Sequence, residues 1–426
     1  MADIVELVLG NAAHGGFCVA HMEYEGNVRV VFVRFGLPGE RVRVRITHRT
    51  QKLWYGDVID VLENPSPYRR MNTWKESRVH HVGGADLAHV VPFHQLQWKT
   101  NVLLDTLRRV GSKKLVAHLE ENGISPRVHS CAEYVESKGY EDGWHTRSRI
   151  EVHSMGEGRF GMYKDGSREL IALSSMPLAV RAIEDIHFFD GRWAHIPRGE
   201  RVRLVHSSTG QMRIVVGDNI YDAHGNVVYS PYVNEKVSYE NNEVNFRVHA
   251  QGFWQVHRLA PASLVRMVMD ICAIESGDTV LDIYSGAGLF TRFMGEKVGK
   301  TGNVFAYEGS KQAVKDARFN TKHMPWVRNS FARINDKKMR SIVESTNAST
   351  IVVDPPRKGL GVATAECLAA SSAHNIVLIS CDPASMARDV DVMVKAGKSV
   401  VHMKGLDIFP NTHHVECVVL MSKTNT

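Results

Sequence analysis

The sequence predicts an α/β protein in three parts: a small N-terminal β-barrel, a mainly-β middle and a C-terminal doubly wound, mostly parallel sheet. Three patterns carry that prediction. Much of the first sixty residues alternates apolar and polar side chains with period two. Short strand-like runs separated by Gly and Asp turns return between about residues 125 and 250. Beyond Phe253, apolar runs of strand length alternate with stretches of helix length, as in a parallel sheet with crossover helices.

In chain order, strands are expected at 27–35, 40–47 and 55–62. Gly36-Leu37-Pro38-Gly39 suits a tight reversal between the first two. Short strands at this spacing suggest a small barrel over residues 1–62. Asn64-Pro65-Ser66-Pro67 then punctuates the chain as a linker. Val102, Leu103, Leu107, Val110 and Leu115 recur at roughly helical spacing and predict a helix over 95–122. The middle part, 63–250, continues with strands at 148–153, 196–205, 211–216, 226–229 and 243–248. In the last part, 251–426, strands are expected at 279–284, 303–307, 350–354, 375–380 and 414–421.

Composition limits the function. At roughly 100–200 residues per domain, 426 residues make two or three domains. Hydrophobic residues at 43% and charged residues at 23% are ordinary for a soluble globular chain. No apolar run reaches the roughly 18 residues that span a bilayer. The N-terminus has early acids and no basic stretch ahead of an apolar one, so no secretion signal is expected. Six scattered cysteines then read as reduced thiols, and the expected compartment is the cytoplasm. The net charge of +6 is uneven: 29–49 is rich in arginine and holds one acid, Glu40. That stretch is either the solvated face of a small sheet or an electrostatic footprint for phosphates, and charge alone leaves both open.

Four strand ends carry chemistry. The strand ending Asp282-Ile283-Tyr284 runs into Ser285-Gly286-Ala287-Gly288, where two glycines let the backbone approach a ligand beside a helix N-terminus. The next strand ends in Glu308, about twenty residues on, where an acid can hold ribose hydroxyls. A structural tight turn would also account for Gly-x-Gly alone. The missing third glycine, and Asp282 inside the strand ahead of the loop, separate this stretch from a dinucleotide fingerprint. Both resemble the S-adenosylmethionine loop of class I (Rossmann-like) methyltransferases, with Asp282 near the methionine amine; a strand-end cap is the blander reading.

The second strand end is Asp354-Pro355-Pro356-Arg357, whose prolines fix a rigid turn and present the acid at the ligand-binding edge. Methyltransferases acting on exocyclic amino groups carry an aromatic residue after such prolines, so Arg357 disfavours N-methylation. The third is Ser380-Cys381-Asp382-Pro383, which places a thiol at the same edge. A buried structural cysteine is the alternative. As a nucleophile it must ionise, and a free thiol pKa near ~8.5 calls for help from a cation or a helix N-terminus. The fourth is His413-His414-Val415-Glu416, where a carboxylate interrupts an apolar strand and needs either a salt-bridge partner or a function.

These motifs, in this order, resemble the RNA 5-methyluridine methyltransferases over nearly the whole chain. Gly36-Leu37-Pro38-Gly39-Glu40 and Ser66-Pro67-Tyr68-Arg69 resemble the OB-like TRAM barrel of that family, which binds RNA. Ser-Cys-x-Pro together with His-His-Val-Glu resembles its catalytic domain, and Phe253-Trp254-Gln255-Val256 matches the position of a cofactor-binding glutamine. The resemblance implies methyl transfer from S-adenosylmethionine to C5 of a uridine in RNA. Ribosomal RNA is favoured because the barrel more often accompanies ribosomal members, and transfer RNA is the alternative. It implies that Cys381 adds to C6, Glu416 removes the C5 proton and Asp354 contacts the uracil edge. Gln255, Asp282, Tyr284, Gly286, Gly288, Glu308 and Asp354 would surround the cofactor, and the middle part would engage RNA, with the helix near 95–122 packing on the catalytic domain as the family's chain path suggests.

The chain departs from that family in places. Many members hold a [4Fe–4S] cluster on four cysteines. Here the corresponding stretch reads His80-His81-Val82-Gly83-Gly84-Ala85-Asp86-Leu87, and Cys131 is the only cysteine between Phe93 and Gly252. No iron–sulfur cluster or other metal is therefore expected, a zinc site on His80, His81 and His89 being the remote alternative. His257 replaces an asparagine after the glutamine motif, and Val327-Arg328-Asn329-Ser330 lacks the acid expected after the third strand. Two rival classes are an RNA-binding protein that keeps the fold without turnover and a small-molecule methyltransferase. Intact Cys381 and Glu416 argue against the first, and the arginine-rich barrel against the second.

Overall fold

In a computed structural model, which describes residues 3–135 and 142–423, the N-terminal alternation buries Cys18, Ala20, Val31, Val33, Val42 and Val44 in one core. Six strands build this unit rather than three: Ile4–Val8, Ala12–Ala13, Phe17–Tyr24, Asn27–Arg34, Arg41–Arg49 and Leu53–Glu63. Their order in the sheet is first, fifth, sixth, fourth, third, second. Ile4–Val8 escapes a period-two reading because Ile4 and Val8 are exposed at its ends while only Leu7 is buried.

The turn and the linker form one clamp. Glu40 is fully buried and accepts hydrogen bonds from the Leu37 and Ser66 N–H groups at 2.8 and 3.1 Å. Arg69 grips both of its oxygens at 2.7 and 2.5 Å. Elsewhere the barrel arginines face acids: Arg34 pairs with Asp57 and Asp165, Arg41 with Glu6 and Glu63, Arg43 with Asp60, and Arg49 with Asp3. Exposed pairs of this kind contribute little each. The arginine run is thus in large part the ion-paired face of a sheet.

The middle sheet is antiparallel and runs Leu170–Ala172, Arg159–Tyr163, Arg149–Gly156, Arg201–His206, Met212–Val216, Asn219–Tyr221 across its width. The strand expected at 226–229 is absent; Val227 only bridges to Tyr221. Trp74, Val82, Ala85 and Ala88 bury in this sheet's core with Met176 and Leu178. His81 stacks on Phe35 at 4.6 Å, and His89 lies against the Gly36 carbonyl. Among the described residues no three His, Cys, Asp or Glu side chains converge as metal ligands.

The stretch 63–250 is not one unit. The helix expected over 95–122 is two, Pro92–Val110 and Lys113–Glu121, broken at Gly111-Ser112, where Ser112 caps the second by accepting from the Leu115 N–H. Leu103, Leu107, Leu115, Leu119 and Val128 join the C-terminal core beside Met386, Val390 and Met393. Val128–Ser130 adds an edge strand to the C-terminal sheet, too short to show any period in sequence. The hairpin Tyr232–Tyr239 and Asn242–His249 packs Val233, Val237 and Phe246 against Leu264, Phe290 and Phe293 of the same body.

That C-terminal sheet has eight strands, in the order Val327–Phe331, Asn303–Glu308, Thr279–Ile283, Thr350–Val353, Asn375–Ser380, Glu416–Lys423, Lys398–Asp407, Val128–Ser130. The first five are parallel. Glu416–Lys423 runs antiparallel to both neighbours. The chain steps outward from Thr279–Ile283, then crosses back to Thr350–Val353, so a topological switch point lies between these two strands. Ligands of open α/β sheets bind beyond the C-terminal strand ends at such a point. Among the described residues no helix is long and apolar enough to cross a membrane.

Candidate active site

The glycine loop lies at the switch point. The Tyr284 and Ser285 N–H groups both donate to the Tyr307 carbonyl, at 2.9 and 3.2 Å. Gly286 has φ +56° with open space where a Cβ would stand. Gly288, at φ +87°, caps the helix Leu289–Val298, and a Cβ there would lie 3.2 Å from Ala317 Cβ. Asp282 is buried and accepts from Thr291 Oγ1 at 2.5 Å. Glu308 accepts from the Gly286 N–H at 3.0 Å, tying the second strand end to the loop.

The parallel strands deliver Asp354 and Cys381 to the same edge. Glu416 reaches it differently: because its strand is antiparallel, it enters the sheet where Asn375–Ser380 leaves it, with Cys417 opposite Ser380. Burial, then the neighbouring carboxylates Asp282 and Glu308, push Asp354 up to about 7. Asp282 is likewise pushed up to about 7, by burial and by Glu308, against the hydrogen bond from Thr291. Glu416 is raised well above the usual carboxylate range by burial and by Asp354. Cys381 is half-buried and pushed up to about 11, by burial first and then by Glu416 and Asp354, with Arg357 opposing. Asp382 accepts from the Ser385 N–H at 2.7 Å and caps the helix Pro383–Lys395, so the thiol also sits beside a helix N-terminus.

Acids therefore outnumber cations around the loop. Among the described residues, none of Asp282, Glu308 and Asp354 is ion-paired. A cationic ligand relieves such a cluster, and S-adenosylmethionine carries positive charge on its amine and its sulfonium. The donor set fits that cofactor.

Of the two remaining expected cofactor residues, Tyr284 opens the glycine loop itself. Gln255 is half-buried in the turn after the hairpin, next to Trp254, which packs 5.4 Å from Phe246. No contact among the described residues joins Gln255 to the carboxylates. Tyr284, at φ +65°, is half-buried and raised by burial and by Asp336 and Asp389 rather than by the cluster.

Other residues reach the site from far away in sequence. His413 donates through its backbone N–H and its Nδ1 to Asp86 Oδ2, at 3.0 and 2.8 Å. Burial pushes Asp86 up, yet those bonds bring it below its usual range. His14, from the barrel, lies 3.8 Å from Asp382 and edge-on to His413 at 6.0 Å. Arg357 lies 2.9 Å from His414 Nδ1; burial, His413 and Arg357 drive His414 down to about 3, so it is neutral at pH 7. Asn411, buried at φ +65°, exchanges hydrogen bonds with Gln95 at 2.8 and 2.9 Å and accepts from Arg70 at 2.6 Å. Lys99, fully buried, binds Asp407 at 2.7 Å and the Phe409 carbonyl at 3.1 Å. Of His14, Asp86, Gln95, Lys99 and Asn411, only Lys99 left a sequence signal of its own, as a lysine among Trp98, Val102 and Leu103.

Known proteins resemble this chain over its length. Residues 223–424 match the family model described as tRNA (Uracil-5-)-methyltransferase, and residues 7–59 match the TRAM domain. An uncharacterized RNA methyltransferase of Bifidobacterium longum is 31% identical, covering 98% of this chain and 96% of its own. One from Streptomyces avermitilis is 30% identical over 99% and 98%. Among solved structures, Pyrococcus abyssi tRNA (uracil-54, C5)-methyltransferase in complex with S-adenosyl-L-homocysteine shares the fold across 98% of this chain and 100% of its own, with a TM-score of 0.68 and 19% identity. An OB-like TRAM barrel followed by a class I catalytic sheet, together with relatives that span nearly the full chain, leads to one conclusion: the chain belongs to the family of S-adenosylmethionine-dependent RNA (uracil-5)-methyltransferases.

Proposed function

We propose that Cys381, Glu416 and Asp354 perform the reaction on a uridine of ribosomal RNA, with transfer RNA the second substrate to assay. The observation that carries this assignment is the convergence of Cys381 and Glu416 on adjacent antiparallel strands, with Asp354 close enough to shift both. The TRAM barrel supports the ribosomal substrate, and the full-length likeness to a transfer-RNA enzyme keeps the other in play.

Uracil C5 is a weak nucleophile. Addition of the Cys381 thiolate to C6 moves the ring's electron pair onto C5 and O4, and C5 can then attack an electrophilic methyl. S-adenosylmethionine supplies that methyl group. Glu416, made more basic by burial, takes the C5 proton, and the thiolate leaves as the C5–C6 double bond re-forms. Asp354, fixed by its prolines, holds the uracil edge. Arg357 and the helix N-terminus favour the thiolate, whereas Glu416 and Asp354 oppose it. Positive charge bound among the carboxylates therefore also lowers the barrier to ionising the thiol. A stacked base exposes neither face, so the uridine must be unpaired or flipped out.

The test uses RNA containing 5-fluorouridine together with S-adenosylmethionine. Fluorine cannot leave as a cation, so a covalent RNA–protein complex is expected to accumulate and to vanish in Cys381→Ala. No complex with either ribosomal or transfer RNA overturns the assignment.

The carboxylate cluster gives a pH prediction. Asp282 and Asp354 hold protons up to about pH 7 in the free protein, whereas unfolded carboxyls lose theirs near ~3.9. The folded state therefore binds more protons between these limits, and these groups make it progressively less stable as pH rises from about 4 to about 7, with no further loss above. A cation binds the ionised pair and releases their protons. Calorimetric affinity for S-adenosylmethionine is expected to fall as pH drops from 8 to 6, with proton release growing, and its thermal stabilisation of the protein to be larger at pH 8. A flat profile would mean that the cofactor's charge lies elsewhere.

A further inference from the structure

We propose that the groove between the N-terminal barrel and the helix Pro92–Val110 seats an unpaired nucleotide adjacent to the target uridine, its base stacked on Phe17, Phe32 and Tyr55. The proposal rests on the chain acting on RNA and extends it by assigning a second subsite, outside the catalytic pocket.

The groove has a volume of about 890 Å³, within the range of small-ligand sites, roughly 300–1,000 Å³. Its barrel wall carries three half-buried aromatic rings. Phe32 and Tyr55 stack on one another at 5.6 Å and 22°, and Phe17 meets both edge-on at 5.8 and 5.7 Å. Aromatic side chains left partly open on a barrel of this kind form a platform for bases, because every base has a π-face. The opposite wall carries Arg109, which pairs with Asp105 one helical turn away, both well exposed. A surface pair of this kind is weak and can exchange its carboxylate for a phosphate.

Position makes the occupant specific. Ala384 lines the groove, three residues after Cys381, and so does His14. His14 also lies 3.8 Å from Asp382, which caps the helix that begins beside the thiol. The groove therefore runs up to the catalytic edge. The same groove lining thus joins the rings to residues next to the thiol, which places a neighbouring nucleotide on the rings.

The experiment measures binding of a single-stranded oligouridylate carrying one 2-aminopurine, whose fluorescence falls on stacking. It involves no methyl transfer, so its outcome is separate from that of the 5-fluorouridine test. Wild-type protein is expected to quench the probe. In Phe32→Leu/Tyr55→Leu, which keeps apolar packing, the quench should disappear and the Kd rise about tenfold or more. KM for substrate RNA should rise in step, while KM for S-adenosylmethionine stays unchanged. Val28→Ser, exposed elsewhere on the barrel, should behave as wild type. If the double variant melts normally yet quenches and binds as wild type, the proposal falls. It also falls if the substitutions alter self-association rather than RNA binding, since the groove would then be a protein interface.

Discussion

Glu416→Gln should lower turnover by about 10²–10⁴-fold, the usual contribution of a positioned general base, and should leave ordinary RNA covalently attached to Cys381. The two effects have one cause. Thiol addition and methyl transfer precede removal of the C5 proton, so an enzyme without its base stalls after methylation, with carbon–sulfur and carbon–methyl bonds both formed. Glutamine matches glutamate in shape and removes a buried carboxylate that burial already disfavours, so folding should not suffer. The measurement is a denaturing gel for the slow RNA–protein species, followed by mass analysis for a 5-methylated nucleotide within it. Cys381→Ala in the same chain should remove the band. Wild-type turnover in Glu416→Gln would exclude this residue as the base.

The largest structural effect is expected at Lys99. Its ammonium is completely buried and pairs with Asp407, itself nearly buried, while also donating to the Phe409 carbonyl. Lys99→Met removes one partner and strands the other, a change that typically costs about 3–5 kcal/mol. Among the described residues Asp407 then keeps the Phe409 N–H at 3.2 Å. Denaturant unfolding should show the loss directly. Lys99→Met/Asp407→Leu should recover most of it, because replacing both members of a buried pair leaves no uncompensated charge. A loss below about 1 kcal/mol would mean that water reaches the site. The pair sits just ahead of the segment carrying His413, His414 and Glu416, so the single variant should also lose activity before it unfolds.

The parts of the site legible in sequence share a physical property: each lies at a strand end where the local chain dictates geometry. Gly286 and Gly288 announce a turn that side chains resist, Pro355 and Pro356 a rigid exit, and Glu416 an acid in an apolar strand. The rest depends on contacts that no local pattern encodes. Gln95 and Asn411 exchange hydrogen bonds across 316 positions, and Asp86 meets His413 across 327. His14 lies in a barrel that read as a separate module. The same limit applied to the fold: periodicity revealed the long catalytic strands but not Ala12–Ala13 or Val128–Ser130, which are too short to have one. The arginine-rich stretch misled in the opposite way, since its charge was visible while the acids that answer it were scattered from Asp3 to Asp165.

The placement of Glu416–Lys423 inside the sheet has a consequence for biosynthesis. This strand is made after the two it separates, Asn375–Ser380 and Lys398–Asp407, and pairs with both. While it is still being translated, the sheet has a gap at Ser380 and Gly405, where Cys417 will later pair on either side. A nascent chain can thus fold its barrel before the strand that carries Glu416 has joined the sheet. The sheet closes only when that gap is filled, so the order of manufacture makes the two sides of the proposed site meet last.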